Sequence, residues 1–250
     1  MIIKASELES FSMKATDGQL GKIDDIYFEA KTFNVRYLVG NTRTWMFGGK
    51  VLLHPESFRA TDLHEKHISV QLTKEMIKNS PKPSDDGPIT SDFEDRLFTH
   101  YGWHVARPMA GHGPIESHPT GQRPIPLAPV IDDLPTEKDE DEQLRKEDSN
   151  PLRSVDETRG YTVHSKEGKI GKVEDMLVCP ETWKVKYVEI DMEQEQESRL
   201  VAIESITELN VFDQAITIDV DKDMVRESPT FEDTIISKKT VAAIYEHYRQ

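Results

Sequence analysis

The hydrophobic positions of the chain follow two periods, and each period occurs in both halves. Alternation with a period of two recurs in several short segments: Val35, Tyr37 and Val39; Ile68, Val70 and Leu72; and Ile216, Ile218 and Val220. This period is typical of strands with one buried face. Spacings of three and four residues occur near the end of each half: Phe93, Leu97, Phe98 and Tyr101, then Val241, Ile244, Tyr245 and Tyr248. They predict a short amphipathic helix in each place.

The two halves are copies of one unit. The segment DGQLGKIDDIYF, which begins at Asp17, recurs as EGKIGKVEDMLV from Glu167. Seven of the 23 positions from 17 to 39 are identical to those 150 residues later. The alignment continues at offsets of 148 and 147: VLLHPESF with RLVAIESI, HISVQLTKEMIKNSP with AITIDVDKDMVRESP, and LFTHY with IYEHY. We infer a tandem duplication.

The turn residues of the copies predict the fold class. Asp17-Gly18 and Glu167-Gly168 are signals of hairpin turns, because glycine adopts positive φ without strain. Short strands separated by turns, in units of about 75 residues, predict small antiparallel barrels or sandwiches. The predicted fold is all-β dominated, with two small antiparallel β-barrels that are each followed by a short C-terminal helix.

The segment between the copies has a different composition. From Val105 to Pro151 it contains no Phe, Trp or Tyr and eight of the 14 prolines, and from Asp132 to Asp148 it carries nine acids against three bases. Such a segment cannot bury enough apolar surface to offset its ordering entropy. We therefore predict a first barrel with its helix at 1–104, a Pro-rich and acidic disordered linker at 105–150, and a second barrel with its helix at 151–250.

Charge and cysteine content exclude several kinds of partner. The net charge of −15 argues against direct nucleic-acid binding and against an anionic membrane surface. No stretch reaches the roughly 18 uninterrupted apolar residues of a membrane span, and the N-terminus lacks a signal-peptide pattern. Cys179 is the single cysteine, so no intrachain disulfide forms and a reducing compartment fits. These features predict a cytoplasmic protein.

The repeated motifs resemble those of one family. D/E-G-x-L/I-G-K-I/V-x-D, then a strand ending in V-x-Y, then K-V-L-L-x-P-E-S, resembles the PRC-barrel superfamily, and HYGW from His100 to Trp103 resembles its helix end. That superfamily includes the cytoplasmic domain of the photosynthetic reaction-centre H subunit and the C-terminal domain of ribosome-maturation factors. The resemblance covers about 1–104 and 150–250. It implies PRC-type barrels without a cofactor and a non-enzymatic adaptor that docks onto a protein partner.

This chain departs from both of those branches. It has neither a membrane helix before a barrel nor the partner domain of the ribosome-maturation type. A ribosome-associated or RNA-processing role is therefore an alternative implied by the resemblance alone. The two barrels are expected to pair, within the chain or in a homodimer.

Aromatic residues of the first copy are the candidate partner-binding surface. Trp45, Met46 and Phe47 precede a Gly-Gly turn, and the second copy is polar in this region. Large apolar residues of this kind dominate interface hot spots. Together with Tyr101 and Trp103 at the helix end they form the predicted docking surface. The alternative is that they cover the core of the first barrel.

Residues with possible chemistry do not form a catalytic pattern. His100 and His104 lie four apart on a predicted helix, a spacing that can hold a metal, so a metal- or small-ligand-binding barrel is a second alternative. A histidine favourably placed at the C-terminal dipole is the commoner case, and we predict no metal site. Asp25 and Asp175 are predicted to accept N–H bonds from the adjacent turn. Cys179 has no counterpart in the first copy. No catalytic residue, and hence no enzyme, is predicted.

Overall fold

The computed structural model describes residues 1–41, 49–83, 89–103, 152–192, 197–231 and 233–248. In these residues the protein is strand-dominated, as predicted, and has two sheets. The strands of the first copy are β1 (Ile2–Lys4), β2 (Ser12–Ala15), β3 (Gly18–Glu29), β4 (Val35–Asn41), β5 (Lys50–Leu53), β6 (Phe58–Asp62) and β7 (His67–Val70). Those of the second are β8 (Leu152–Ser154), β9 (Thr162–Ser165), β10 (Gly168–Cys179), β11 (Lys184–Met192), β12 (Arg199–Ala202), β13 (Ile206–Asn210), β14 (Ala215–Ile218) and β15 (Ile235–Ile236).

Helices occupy corresponding places in the two copies. They are α1 (Ala5–Glu9), α2 (Lys74–Lys78) and α3 (Ser91–Tyr101), then α4 (Val155–Thr158), α5 (Lys222–Arg226) and α6 (Lys238–His247). A short 3-10 turn precedes the sixth strand of each copy, at Pro55–Ser57 and at Ile203–Ser205. The predicted hairpin turns are confirmed, because Gly18 and Gly168 have φ of 142° and 113° where β3 and β10 begin.

Both sheets have the same strand order, β5-β4-β3-β2-β7-β6 and β12-β11-β10-β9-β14-β13. Neighbours are antiparallel except β2 with β7 and β9 with β14, so the antiparallel prediction is wrong for one pair in each sheet. Among the described strands, no pairing joins the two ends of either order, and closed barrels are not formed by these pairings. The 3-10 turns are corners that direct β6 and β13 onto β7 and β14 instead of onto β5 and β12.

The two copies exchange their first strands. β1 pairs with β10 of the second copy, with Ile3 opposite Val178, and β8 pairs with β3 of the first copy, with Arg153 opposite Phe28. β15 then adds to the other edge of β1. Each sheet therefore contains a strand of the other copy, and the copies are paired within one chain.

The repeated aspartates bind the exchanged segments. The Asp175 carboxylate accepts hydrogen bonds from the Ser6 N–H (3.1 Å) and hydroxyl (2.6 Å). Asp25 accepts them from the Ser154 hydroxyl (2.5 Å) and the Asp156 N–H (3.3 Å). The sequence predicted donors in the adjacent turn. Apart from the N–H of the next strand residue and the Arg159 guanidinium at Asp175, the donors come from the other copy. A local pattern cannot indicate a donor that is distant in sequence.

Equivalent residues also meet each other between the copies. The tips of the β3–β4 and β10–β11 hairpins are joined by reciprocal hydrogen bonds: Val35 N–H to the Trp183 carbonyl (2.8 Å) and Val185 N–H to the Phe33 carbonyl (2.9 Å). Glu9 and Arg159, also equivalent, form a bidentate pair with oxygen–nitrogen distances of 2.7 and 3.3 Å. One buried apolar cluster extends through both copies. Contacts between equivalent positions are typical of a twofold arrangement.

The predicted C-terminal helices are α3 and α6. Thr90 and Ser237 cap their N-termini through side-chain oxygens. His100 and His247 near the ends of these helices each place Nε2 at 2.7 Å from a backbone carbonyl, that of Met76 or Met224. A nitrogen that donates to a carbonyl is not free to bind a metal. None of the described helices is both long and apolar enough to cross a membrane.

Candidate functional site

Only part of the predicted docking surface falls in the described part of the chain. Trp45, Met46 and Phe47 lie outside it, as does His104. Tyr101 is 8 % exposed, and Trp103 is partly buried with its ring stacked on that of Tyr101 at 4.3 Å. These two residues pack at the end of α3, and their role in partner binding stays a prediction.

An aromatic cluster fills the space between α3 and the sheet of the first copy. The His54 ring, which follows β5, lies 6.2 Å from the ring of Phe98 and 5.6 Å from that of Trp103, between ring centroids. Burial, with a smaller effect of the Arg36 charge, lowers the pKa of His54 to about 4. Its neutral ring accepts the Glu56 N–H at Nδ1 (3.2 Å). The imidazole is therefore a packed structural group.

A carboxylate from α3 is held beside this cluster. Glu94 Oε1 accepts the Tyr37 hydroxyl at 2.7 Å and the Arg36 Nη2 at 3.2 Å. Tyr37 is fully buried and Glu94 is 9 % exposed. In the first copy, the buried Tyr37 hydroxyl therefore has a hydrogen-bond acceptor from the same copy, as buried polar groups require.

The corresponding space in the second copy is an open groove. It has a volume of about 1060 Å³ and lies between α6, the strand β11 and the N-terminal residues Met1 and Ile2. Its walls include Tyr187, Ala202, Val241 and Tyr245. Pockets of this size and largely apolar character are typical of binding sites.

Two substitutions between the copies open this groove. Ala202 takes the place of His54, which removes the ring at the centre of the aromatic cluster. Val241 takes the place of Glu94, which removes the carboxylate. Tyr187 is retained in the place of Tyr37, and Lys186 replaces Arg36 with the same charge. The second copy therefore keeps the donors and loses the groups that fill the space around them.

Tyr187 brings a phenol hydroxyl to the lining of the groove. The residue is 7 % exposed, and none of the described residues forms a hydrogen bond with its hydroxyl. Burial, and to a lesser extent the charges of Glu204 and Tyr245, raises the pKa of this phenol, so it is a neutral donor at neutral pH. An acceptor that enters the groove can therefore take a hydrogen bond from this phenol.

The rim of the groove combines apolar and charged side chains. Tyr245 is 56 % and Met1 44 % exposed, and both belong to the few large apolar residues that are exposed in the described part of the chain. Lys186 and Lys238 are the cationic side chains of the lining. Glu181, Glu204, Asp219 and Asp221 are the acidic ones; of these, Glu181 is 3.4 Å from the N-terminal ammonium.

The lining of the groove includes one thiol, that of Cys179. The Cys179 thiol donates to the Glu181 carboxylate at 3.9 Å. No histidine lines the groove in the described residues, and these residues contain no cluster of three or more side chains suited to a metal. The described lining therefore combines an apolar wall, a phenol donor, two lysine ammonium groups and four carboxylates.

The sequence analysis missed this site, although the alignment of the copies contains its signal. VLLHPESF and RLVAIESI differ at the His54 and Ala202 positions in the middle of a well-matched block. Where one copy has a large ring and the other only a methyl group, the side chain of the second copy leaves unfilled a space that the ring fills in the first. A scan against protein-family models finds no match for this chain, and neither does a search of curated proteins.

Proposed function

We propose that this protein is a non-enzymatic interaction adaptor that docks a protein partner in the groove of the second copy. One observation carries the proposal: the groove is open at the place where the first copy packs His54, Phe98 and Trp103 into the equivalent space. A partner side chain inserted there would take the position of the missing ring.

Exposure at the groove agrees with this role. Aromatic residues at the edge of a concave apolar surface are the usual anchors of protein interfaces. Tyr245 and Met1 provide such an edge, and Ala202 and Val241 provide the floor. The exchanged strand β1 forms part of the groove: Ile2 lines it and pairs with Ile236 of β15.

The PRC-barrel resemblance is part of the same proposal. Its support is that the repeated motifs occur in the same order in two sheets of identical strand order, with the motif glycines at the hairpin turns. We propose that each sheet is of the PRC type and that the protein acts in the cytoplasm, where a single unpaired cysteine fits.

Two exposed aromatic residues provide a matched test of docking. The tagged full-length protein is used to capture partners from nuclease-treated extract, and the affinity of a captured protein is then measured in purified form. Tyr245→Ser is expected to weaken that affinity tenfold or more, since truncating an interface anchor costs about 2 kcal/mol or more. Phe212→Ser, which changes a 64 % exposed ring that does not line the groove, is the control and should leave it unchanged. Equal affinity of both variants and the native protein would contradict the proposal.

A further inference from the structure

The first copy shows what the donors of the groove hold when their site is complete. There the Tyr37 hydroxyl and the Arg36 guanidinium both bind the Glu94 carboxylate, at 2.7 and 3.2 Å. The second copy presents Tyr187 and Lys186 at the same two positions of its sheet. Val241, which replaces Glu94 on the helix, cannot accept a hydrogen bond.

We propose that the groove of the second copy binds a carboxylate with an apolar body. The carboxylate accepts a hydrogen bond from the Tyr187 hydroxyl and pairs with the Lys186 ammonium, while the apolar body lies against Ala202, Val241 and Tyr245. That the carrier is an acidic side chain of a protein segment, next to an apolar one, rests on the proposed docking function.

The unpartnered phenol is the observation that points to a ligand. Tyr187 is more than nine-tenths buried, lines the groove and has no hydrogen-bond partner in the described residues, whereas its counterpart Tyr37 has one. Lys238, the first residue of α6, adds a second positive charge at the same groove. Because α6 begins at Lys238, the positive end of its helix dipole also lies at the groove.

Four acidic residues line the groove; Glu181 pairs with the N-terminal ammonium, and the other three oppose an anion. Glu204 corresponds to Glu56 of the first copy and is exposed. Asp219 and Asp221 are exposed, so water and salt screen their charges. The expected affinity is therefore moderate and depends on the apolar body as well as on the charge.

Octanoate is a suitable probe, with octanamide as its neutral counterpart. Titration of the ¹⁵N-labelled full-length protein should shift the amide resonances of the groove residues, and octanoate should bind at least fivefold more tightly than octanamide. Lys186→Met should remove this preference, and Tyr187→Phe should weaken octanoate binding about fivefold. Equal binding of the two probes, or no binding of either, would overturn the inference.

A second variant tests the site without relying on a loss of donors. Val241→Glu places on α6 the carboxylate that α3 has as Glu94, so it should occupy the donors, raise the unfolding temperature and weaken octanoate binding at least tenfold. Val241→Gln has the same size without the charge and should weaken octanoate less. If both variants weaken it equally, the effect is steric and the carboxylate role is wrong.

Failure of this inference can be told apart from failure of the docking role. If Tyr245→Ser disrupts partner binding while Val241→Glu leaves it intact, docking stands and the carboxylate inference is wrong. If octanoate binds as expected but no protein partner depends on Tyr245, the carboxylate site stands and the docking role is wrong.

Discussion

Replacing Asp175 by alanine is expected to lower the free energy of unfolding by about 3 kcal/mol, because the Ser6 and Met176 donors lose their acceptor and Arg159 loses one of its carboxylate partners. Asp175 is 4 % exposed. It accepts hydrogen bonds from the Ser6 N–H and hydroxyl and from the Met176 N–H, and its carboxylate lies 3.1 Å from the Arg159 guanidinium. Equilibrium unfolding in urea, with the slope checked for constancy, measures the loss.

The matched control is the equivalent residue of the other copy. Asp25 is buried in the same way and binds Ser154 and Asp156 across the exchange, but it has no arginine pair among the described residues. Asp25→Ala should therefore cost less, about 1–2 kcal/mol. Asp219→Ala, at an exposed site, should stay within about 0.5 kcal/mol of the native protein. If Asp175→Ala behaves like Asp219→Ala, the exchanged segments do not stabilise the fold as described.

The native protein is expected to lose about 2–3 kcal/mol of stability between pH 6.5 and pH 4 through His54 alone, because its pKa falls from 6.5 when unfolded to about 4 in the fold. In this range the unfolded state binds a proton that the folded state does not. The contribution of the neutral His54 ring to the free energy of unfolding is therefore complete above pH 6.5 and is lost as the pH falls to 4.

The variant His54→Asn isolates this effect. Asparagine can still accept the Glu56 N–H and does not titrate. Burial raises the pKa of Glu9, Asp25 and Glu189, which changes stability in the opposite direction. Because the variant shares these acids, they cancel in the difference. The stability advantage of the native protein over His54→Asn should shrink by about 2–3 kcal/mol from pH 7 to pH 4. A constant difference would show that His54 is not buried in its neutral form.

Local features of the fold could be predicted from the sequence because they depend on local patterns. Alternation along segments such as Ile68 to Leu72 identifies strands, and spacing along Phe93 to Tyr101 identifies α3. Gly18 and Gly168 indicate hairpin turns in the sequence because glycine readily adopts the positive φ that both residues have in the structure. The repeat was visible for the same reason: both copies need the same residues at the same turns.

The exchange of first strands could not be predicted in this way. β1 (Ile-Ile-Lys) and β8 (Leu-Arg-Ser) have three residues each, and nothing in such a short segment specifies which sheet edge it joins. Both segments bind partners that are distant in sequence, among them the Asp175 and Asp25 carboxylates. The prediction of carboxylates bound by an adjacent turn failed because it considered only neighbours in sequence.

The groove shows how a duplication can give one chain a filled and an open version of the same site. In the first copy, His54 and Glu94 fill the space and satisfy Tyr37. In the second copy, Ala202 and Val241 leave Tyr187 facing the groove. The first copy is packed at this site, so the proposed docking function is assigned to the open site of the second copy.

Site-specific photo-crosslinking tests the proposed docking groove most directly. Tyr245 is replaced by p-benzoyl-L-phenylalanine in the full-length protein, in cells, and Phe212 is replaced in the same way as the control. We predict a discrete cross-linked protein partner at position 245 that is absent at position 212. This product should be lost when Ala202→His, which restores the ring of the first copy, closes the groove. The absence of a cross-linked partner at 245, or the same product at both positions, would contradict the account.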